Sequence, residues 1–177
     1  METKSLWRIC GALFTVLGTF GFGMCMCREQ RRKIRLLQEM EQFLLLAAGE
    51  ISYGAGRLQE VFLQAAEKIG GITGFFLQQV GERLANRNGE CLEQVWKEEI
   101  SAYLETSPLT GEEREVLLSL PQDMGFLDKK RQEQALERAG ERLGAIRQQL
   151  VGKQEVFEKT TMALCLSAGA VVVILFL

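Results

Sequence analysis

The side chains that most often perform catalysis are scarce in this chain. Histidine is absent from all 177 residues, so no imidazole is available as a general base near neutral pH. Five cysteines are present, but none is spaced as a CxxC pair and four lie in or beside the apolar ends of the chain: Cys10, Cys25, Cys27 and Cys165, with Cys91 alone in the middle. We therefore expect neither a disulfide framework nor a zinc site, and interpret the thiols as small apolar groups.

Other chemical motifs are equally weak. The chain has no Gly-x-x-x-x-Gly-Lys-Ser/Thr loop for a nucleotide phosphate. Gly54-Ala55-Gly56 follows a predicted helix rather than a strand, so it is not a dinucleotide fingerprint. The acidic pairs Glu98-Glu99 and Glu112-Glu113 are interpreted as solvated helix faces. The sequence predicts a protein that is not an enzyme and that binds no metal and no cofactor.

Charge is strongly segregated along the chain. No formal charge lies between residues 9 and 27 or between residues 160 and 177, whereas residues 28–159 hold 19 of the 21 basic and 22 of the 23 acidic residues. The middle therefore has a net charge of −3, which provides no electrostatic footprint for nucleic acid. The two ends and the middle are expected to occupy different environments.

The apolar ends have the length of membrane-spanning helices. About 20 apolar residues, rising about 1.5 Å each, cross a hydrocarbon core. We predict transmembrane helices at residues 6–27 and 160–177 in a lipid bilayer, with a helical bundle at 28–159 between them. The alternatives are a cleaved signal peptide for the first segment, although Met24–Cys27 lacks a small-x-small cleavage site, and a re-entrant or core helix for the second.

A basic run sets the predicted orientation. Five cationic residues follow the first apolar segment, and such residues remain on the cytoplasmic side: Arg28, Arg31, Arg32, Lys33 and Arg35. The predicted protein is thus a two-span membrane protein with a cytoplasmic middle domain.

Small residues recur at every fourth position of the first segment, at Gly11, Thr15, Thr19 and Gly23. Such a row allows another helix to approach closely. Its partner would be the C-terminal segment, through Ala163, Ser167 and Ala170, or a neighbouring subunit.

The middle of the chain predicts an all-α fold. It is rich in Glu, Gln, Arg, Leu and Ala, and the chain has only two prolines. Two long helices carry apolar seams with alternating spacings of three and four: Leu37, Met40, Leu44, Ala47 and Ile51 in the first, Leu136, Ala139, Leu143, Ile146 and Leu150 in the last. Each continues into a predicted span, so we expect the two to be antiparallel, pairing within one chain or between chains.

Shorter helices are predicted at about 57–69, 73–86, 91–104 and 110–120. Thr110 with Glu113 has the spacing of a capping box, and Asp128 is placed to cap the last helix. Residues 121–127 are expected to be irregular. Four aromatic residues are expected in the core: Phe62, Phe75, Phe76 and Trp96.

The order of these elements resembles the stage III sporulation protein AB family over nearly the whole chain. The resemblance rests on a Glu-Ile-x-Tyr-Gly turn followed by a leucine, a mid-chain tryptophan and a Gly-x-x-Asp-x-x-x-Gln element: Glu50 to Gly54 with Leu58, Trp96, and Gly125, Asp128 and Gln132. Arg57 stands where the family usually has proline, and Leu127 where it usually has serine.

The resemblance implies a place in a multiprotein complex between the mother cell and the engulfed forespore, in the outer forespore membrane. The family looks like the inner-membrane platform of type II secretion and type IV pilus systems. The implied partners are a cytoplasmic secretion-type ATPase and other membrane subunits. The candidate contact surfaces are Glu50, Tyr53, Gly54, Arg57 and Leu58, and Gly125, Asp128 and Gln132. These residues could equally serve only as turns and caps.

A second hypothesis from another class stays open. The chain could be a generic membrane-anchored adaptor or a self-associating sensor whose seams pair between copies in a homo-oligomer.

The predicted topology has a direct test. We expect an alkaline wash to leave the intact chain in the membrane, and Cys91 to be protected from an impermeant maleimide added outside the cell. Labelling after detergent treatment is the control for thiol reactivity. External labelling of Cys91, or release of the chain at high pH, would contradict the topology.

Overall fold

The computed structural model describes residues 2–53, 57–86, 91–124 and 128–176; the side chains of residues 2–10, 12, 13, 15, 16, 53, 123, 172, 173, 175 and 176 lie outside the description. These ranges are all-α and contain no strand. They form six helices: α1 Glu2–Tyr53, α2 Leu58–Ile69, α3 Gly71–Ala85, α4 Leu92–Thr106, α5 Glu112–Met124 and α6 Lys129–Phe176.

The chain divides into two compact units. The terminal unit comprises Met1–Arg32 and Leu150–Leu177, and the central unit comprises Lys33–Gln149. Each unit contains part of α1 and part of α6, whereas α2 to α5 belong to the central unit alone.

In the central unit, α1 and α6 are antiparallel neighbours within one chain. Glu41 accepts a hydrogen bond from Arg147 Nε at 2.8 Å, and a Cβ atom on Gly140 would lie 3.7 Å from Leu44 Cβ. Most of the predicted seam residues are buried there, and the following side chains have no exposed area: Leu37, Met40, Leu44, Ala47, Leu136 and Leu143. Ile51 and Ile146, also predicted in the seams, are only half-buried. The seam residues of this unit are therefore used inside a single chain.

Gly144 leaves room for the Glu41 side chain. A Cβ atom at residue 144 would lie 2.8 Å from Glu41 Oε1, so a side chain there would displace the flexible end of Glu41. The missing side chain thus allows Glu41 to lie against α6 and to bind Arg147 one turn further on.

A two-glycine turn connects α2 and α3. Gly70 and Gly71 have φ values of 66° and 62°, which glycine adopts at no steric cost. Helix α3 begins at Gly71, two residues before the predicted start, and this places Thr73 inside the bundle. The Thr73 hydroxyl donates to Glu39 Oε2 at 2.5 Å and lies 3.1 Å from the Tyr103 hydroxyl, so α1, α3 and α4 share a polar contact in the core.

Trp96 lies at the centre of the aromatic core. Its ring centroid is 6.3 Å from that of Phe43, 6.0 Å from that of Phe62 and 5.1 Å from that of Phe76. One side chain of α4 therefore contacts α1, α2 and α3. The prediction that Phe75 also belongs to the core is wrong, because its side chain is 64% exposed.

Helix α5 continues past a proline, so the prediction of an irregular segment is wrong for residues 121–124. Pro121 has no N–H, and the carbonyl of Leu117, four residues earlier, consequently loses its partner in the helix. The Trp96 indole Nε1–H donates to that buried carbonyl at 2.9 Å. A tertiary hydrogen bond thus replaces the one that the proline removes.

In the terminal unit, α1 and α6 also meet in antiparallel orientation. Gly23 lies against Cys165, and the Arg31 guanidinium binds the Glu158 carboxylate. Among the described residues, no helix combines the length and the apolar character needed to cross a membrane.

The bond between Trp96 and Leu117 predicts a measurable coupling. Trp96→Phe leaves a buried carbonyl unpaired, which costs about 1–3 kcal/mol in addition to the packing loss. Pro121→Ala supplies the missing N–H, so the cost of Trp96→Phe should fall by about 1 kcal/mol in that background. Urea unfolding of the full chain in detergent, monitored by circular dichroism, measures the free energy of unfolding of the wild type, of each single variant and of the double variant. Strictly additive effects would contradict this role of the indole.

Candidate interaction surfaces

The first candidate surface lies at the junction of α1 and α2. Glu50 is half-buried near the end of α1, Arg57 is exposed, and Leu58 is half-buried as the first residue of α2. Arg57 has extended backbone angles, and its carbonyl accepts from the N–H of Glu60 at 2.8 Å. The side chain of Tyr53, and Gly54 as a whole, lie outside the described residues. Arg57 is thus the exposed charge of this surface.

The second candidate surface lies at the start of α6. Asp128 is exposed and caps the helix, as predicted, because its Oδ1 accepts from the backbone N–H of Lys130 at 3.1 Å. Gln132 Nε2 donates to the Met124 carbonyl at 2.6 Å and so connects the end of α5 to α6. Gly125 lies outside the described residues. Both described residues have a structural role, whatever else they contact.

Two members of the predicted basic run are engaged in ion pairs, and the two pairs belong to different units. In the terminal unit, Arg31 donates two hydrogen bonds of 2.8 Å to Glu158 on α6. The hydrogen bonds from Arg31, with one more from Gln154, lower the pKa of Glu158 to about 2, and the contact with Glu158 raises the pKa of Arg31. The remaining members of the run are exposed: Arg28, Arg32 and Arg35.

Lys33, in the central unit, forms the more protected pair. Its ammonium binds the Glu113 carboxylate and donates to the Thr110 hydroxyl at 3.3 Å. The Lys33 side chain is 17% exposed and that of Glu113 only 6%. The interpretation of Glu113 as part of a solvated helix face is therefore wrong, although Glu112 beside it is exposed and pairs with Arg142.

The surroundings of Glu113 also determine its pKa. Burial by itself raises the pKa, but the hydrogen bonds from Lys33 and from backbone N–H groups, Thr110 among them, outweigh burial, so the pKa lies below its usual 4.5. The Thr110 N–H donates to Glu113 Oε1 at 3.2 Å, which is one half of the predicted capping box. The Thr110 hydroxyl, which would complete the box, accepts instead from Lys33.

The row of small residues is used at one end. A Cβ atom on Gly23 would lie 3.0 Å from Cys165 Sγ and 3.6 Å from Met162 Sδ, so α6 approaches α1 closely there. Thr19 is half-buried, the side chain of Thr15 lies outside the description, and a Cβ atom on Gly11 would meet no atom within 4 Å. The small residues expected to face this row from α6 are exposed instead: Ala163, Ser167 and Ala170.

Clustered ligands for a metal are not found in the described part of the chain, where no three Cys, Asp or Glu side chains converge. Cys25, Cys27, Cys91 and Cys165 are free thiols. Glu98 and Glu99 both bind Arg83 of α3 at 2.8 Å, so this acidic pair stabilises the contact between α3 and α4.

Comparison with known proteins identifies the family. The family model described as stage III sporulation protein AB matches residues 8–177. The chain belongs to the stage III sporulation protein AB family. The resemblance seen in the sequence is thereby confirmed, and with it a role related to sporulation. Among curated proteins, none matches the chain.

A solved structure of a family protein has the same fold. A structure named stage III sporulation protein AB (SpoIIIAB) superposes with a TM-score of 0.65 at 19% sequence identity. The superposition covers 71% of this chain and 98% of the other. In this member of the family, the mid-chain tryptophan is the buried Trp96 at the centre of the aromatic core.

The ion pair between Lys33 and Glu113 predicts acid sensitivity. Because the folded pKa of Glu113 is lowered, its contribution to stability is present above about pH 4.5 and is lost as the pH falls through the lower, folded pKa. Glu113→Gln should destabilise the chain near neutral pH by about 2 kcal/mol, below the roughly 3–5 kcal/mol of a fully buried pair. Its unfolding free energy should also fall less steeply than that of the wild type between pH 5 and pH 3.

Denaturant unfolding at several pH values measures both effects. Glu112→Gln is the matched control, because Glu112 is exposed and its pair with Arg142 is 3.3 Å long. Identical pH slopes for wild type and Glu113→Gln would contradict the assignment.

Proposed function

We propose that this chain is a non-catalytic platform subunit of a sporulation complex, anchored in a membrane by both ends and docking a cytoplasmic ATPase through its central unit. Family membership supports the sporulation role. The observation that carries the membrane proposal is the location of the exposed apolar side chains.

Bulky apolar side chains remain exposed throughout the described part of the terminal unit. In α1 these are Phe14 (80%), Leu17, Phe20, Phe22 and Met26, and in α6 they include Leu164, Leu166, Val171 and Ile174 (75%). In the central unit, Phe43 and Phe62 are fully buried, although Phe75 is 64% exposed. An apolar surface of this extent is unfavourable in water and supports burial in lipid.

The complete sequence of the two ends supports the same proposal. Residues 9–27 and 160–177 hold no formal charge, and the basic run from Arg28 to Arg35 follows the first of them. Cationic residues favour the cytoplasmic side, so the central unit lies in the cytoplasm. The family resemblance implies that this cytoplasm is that of the mother cell, at the outer forespore membrane.

Docking of a secretion-type ATPase is proposed from the family layout and from the exposed charges of the two candidate surfaces. Arg57 at the start of α2 and Asp128 at the start of α6 are exposed in the described residues. Charges at an interface rim steer association and select partners. The adaptor or sensor alternative receives less support, because the seam residues it would need between chains are buried within one chain in the central unit.

The docking proposal has a matched test. Full-length protein in detergent is titrated with the purified ATPase of the same complex. We expect Arg57→Glu to weaken binding about tenfold, equivalent to about 1.4 kcal/mol. Arg138→Glu, at an exposed arginine of α6, is the control and should bind normally. Asp128→Asn keeps the helix cap while removing the charge, so its effect reports docking rather than capping.

Two outcomes would contradict the docking role. One is the absence of binding by the wild-type chain. The other is an unchanged affinity after both charge changes.

A further inference from the structure

Among the described residues of the central unit, α3 and α4 enclose a groove between them. Its walls are one stripe from each helix, spaced i, i+3, i+4, i+7: Ile72, Phe75, Phe76 and Gln79 from α3, and Glu99, Ala102, Tyr103 and Thr106 from α4. The helices are antiparallel, since Arg83 contacts Glu98 and Glu99 while Phe76 contacts Tyr103, with ring centroids 4.9 Å apart. Two stripes of this length give a groove of about two helical turns, or roughly 10 Å.

The groove is apolar at its open side. Phe75 is 64% exposed and Ile72 is 46% exposed, whereas Phe76 on its floor is only 4% exposed. Polar side chains would serve equally well at exposed positions of α3 if these positions faced only water. A paired exposure of bulky apolar side chains beside a concave surface is the pattern of a docking site.

The charge around the groove is acidic. Helix α4 carries four glutamates and one lysine, a net charge of −3, and the charges of α3 cancel. Arg83 already binds Glu98 and Glu99. Glu105 does not line the groove, but it follows the groove residue Ala102 by three positions and so lies at the outer edge of the same helical stripe. It is exposed and makes no ion pair within the described residues. The edge of the groove therefore offers a carboxylate that a cationic partner can bind.

We propose that this groove receives an amphipathic helix of another protein of the complex, with an apolar stripe seated against Ile72 and Phe75 and a Lys or Arg beside Glu105. This inference rests on the proposed scaffold role, although it does not depend on the ATPase. A third helix laid between two antiparallel helices buries the exposed rings and pairs the remaining charge, as in helix-in-groove recognition.

Two other occupants are less well matched. An anionic lipid surface would be repelled by the acidic rim. A second copy of this chain offers its basic run, in which Arg31 and Lys33 are bound within their own chain. Arg28 and Arg35 are exposed, but the apolar residues that follow them, Leu36 and Leu37, are buried, so no exposed apolar stripe accompanies these charges in the central unit. A basic amphipathic helix from a different protein has neither restriction.

Photo-cross-linking in sporulating cells tests the groove with the full chain. The variant Phe75→p-benzoylphenylalanine places a benzophenone cross-linker on the wall of the groove, where the 64% exposure of Phe75 leaves room for the added benzoyl group. The matched control is Leu118→p-benzoylphenylalanine, because Leu118 is an apolar side chain of α5, also in the central unit, with 42% exposure. Adducts are mapped by mass spectrometry to the peptide in the partner.

We expect an adduct at position 75 and none at position 118. The partner peptide should come from one segment of a different protein, with apolar residues at helical spacing and at least one Lys or Arg. Adding Glu105→Lys should reduce the adduct about tenfold or more, since it opposes like charges at the contact. A reciprocal Lys→Glu or Arg→Glu change in the mapped segment should restore it.

Other results would overturn the proposal: an adduct with lipid or with a second copy of this chain, equal adducts at both positions, an adduct insensitive to Glu105→Lys, or none at position 75. Binding of the purified ATPase is measured separately. If the ATPase does not bind but the cross-link forms as expected, the proposed ATPase docking is wrong and the groove proposal stands. If the ATPase binds and the cross-link is absent, the groove proposal is wrong and the ATPase docking stands.

Discussion

The hydrogen bond from the Trp96 indole to the Leu117 carbonyl joins α4 to α5 at the centre of the core. Pro121 leaves that carbonyl without a helical donor in a buried position, and the indole of α4 supplies one. The same ring contacts Phe43, Phe62 and Phe76, so α1, α2 and α3 pack around the residue that secures α5. Helix α4 is also held against α3 by the contact of Trp96 with Phe76 and by the pairs of Arg83 with Glu98 and Glu99, and the groove lies between these two helices.

Ion pairs connect α1 to segments distant in sequence, but they differ in how much they contribute to stability. Arg31 and Glu158 are well aligned yet exposed to solvent, where an ion pair contributes little to stability. Lys33 and Glu113 are largely protected, and removal of either partner leaves a charge that water cannot fully solvate. Glu41 and Arg147 lie between these cases and help to set the antiparallel register of α1 and α6 in the central unit.

The start of α6 and the groove between α3 and α4 differ in whether their residues have a role inside the fold. Asp128 caps α6 and Gln132 bonds the end of α5, so their presence needs no partner. Phe75 and Ile72 have no comparable role, because they are exposed where a polar side chain would be more favourable in water. Family membership places the chain among sporulation proteins, and an interaction role accounts for the groove better than a purely internal one.

The sequence by itself determined what depends on local pattern: the all-α class, the two long helices, the buried seams of the central unit, the cap at Asp128 and the family. Spacing and capping act over a few residues and can be read directly. The tertiary structure alone decided that Phe76 is buried and Phe75 exposed, that Glu113 pairs with Lys33, and that α5 continues past Pro121. Each of these depends on a partner on another helix, and composition does not reveal which distant side chains will meet.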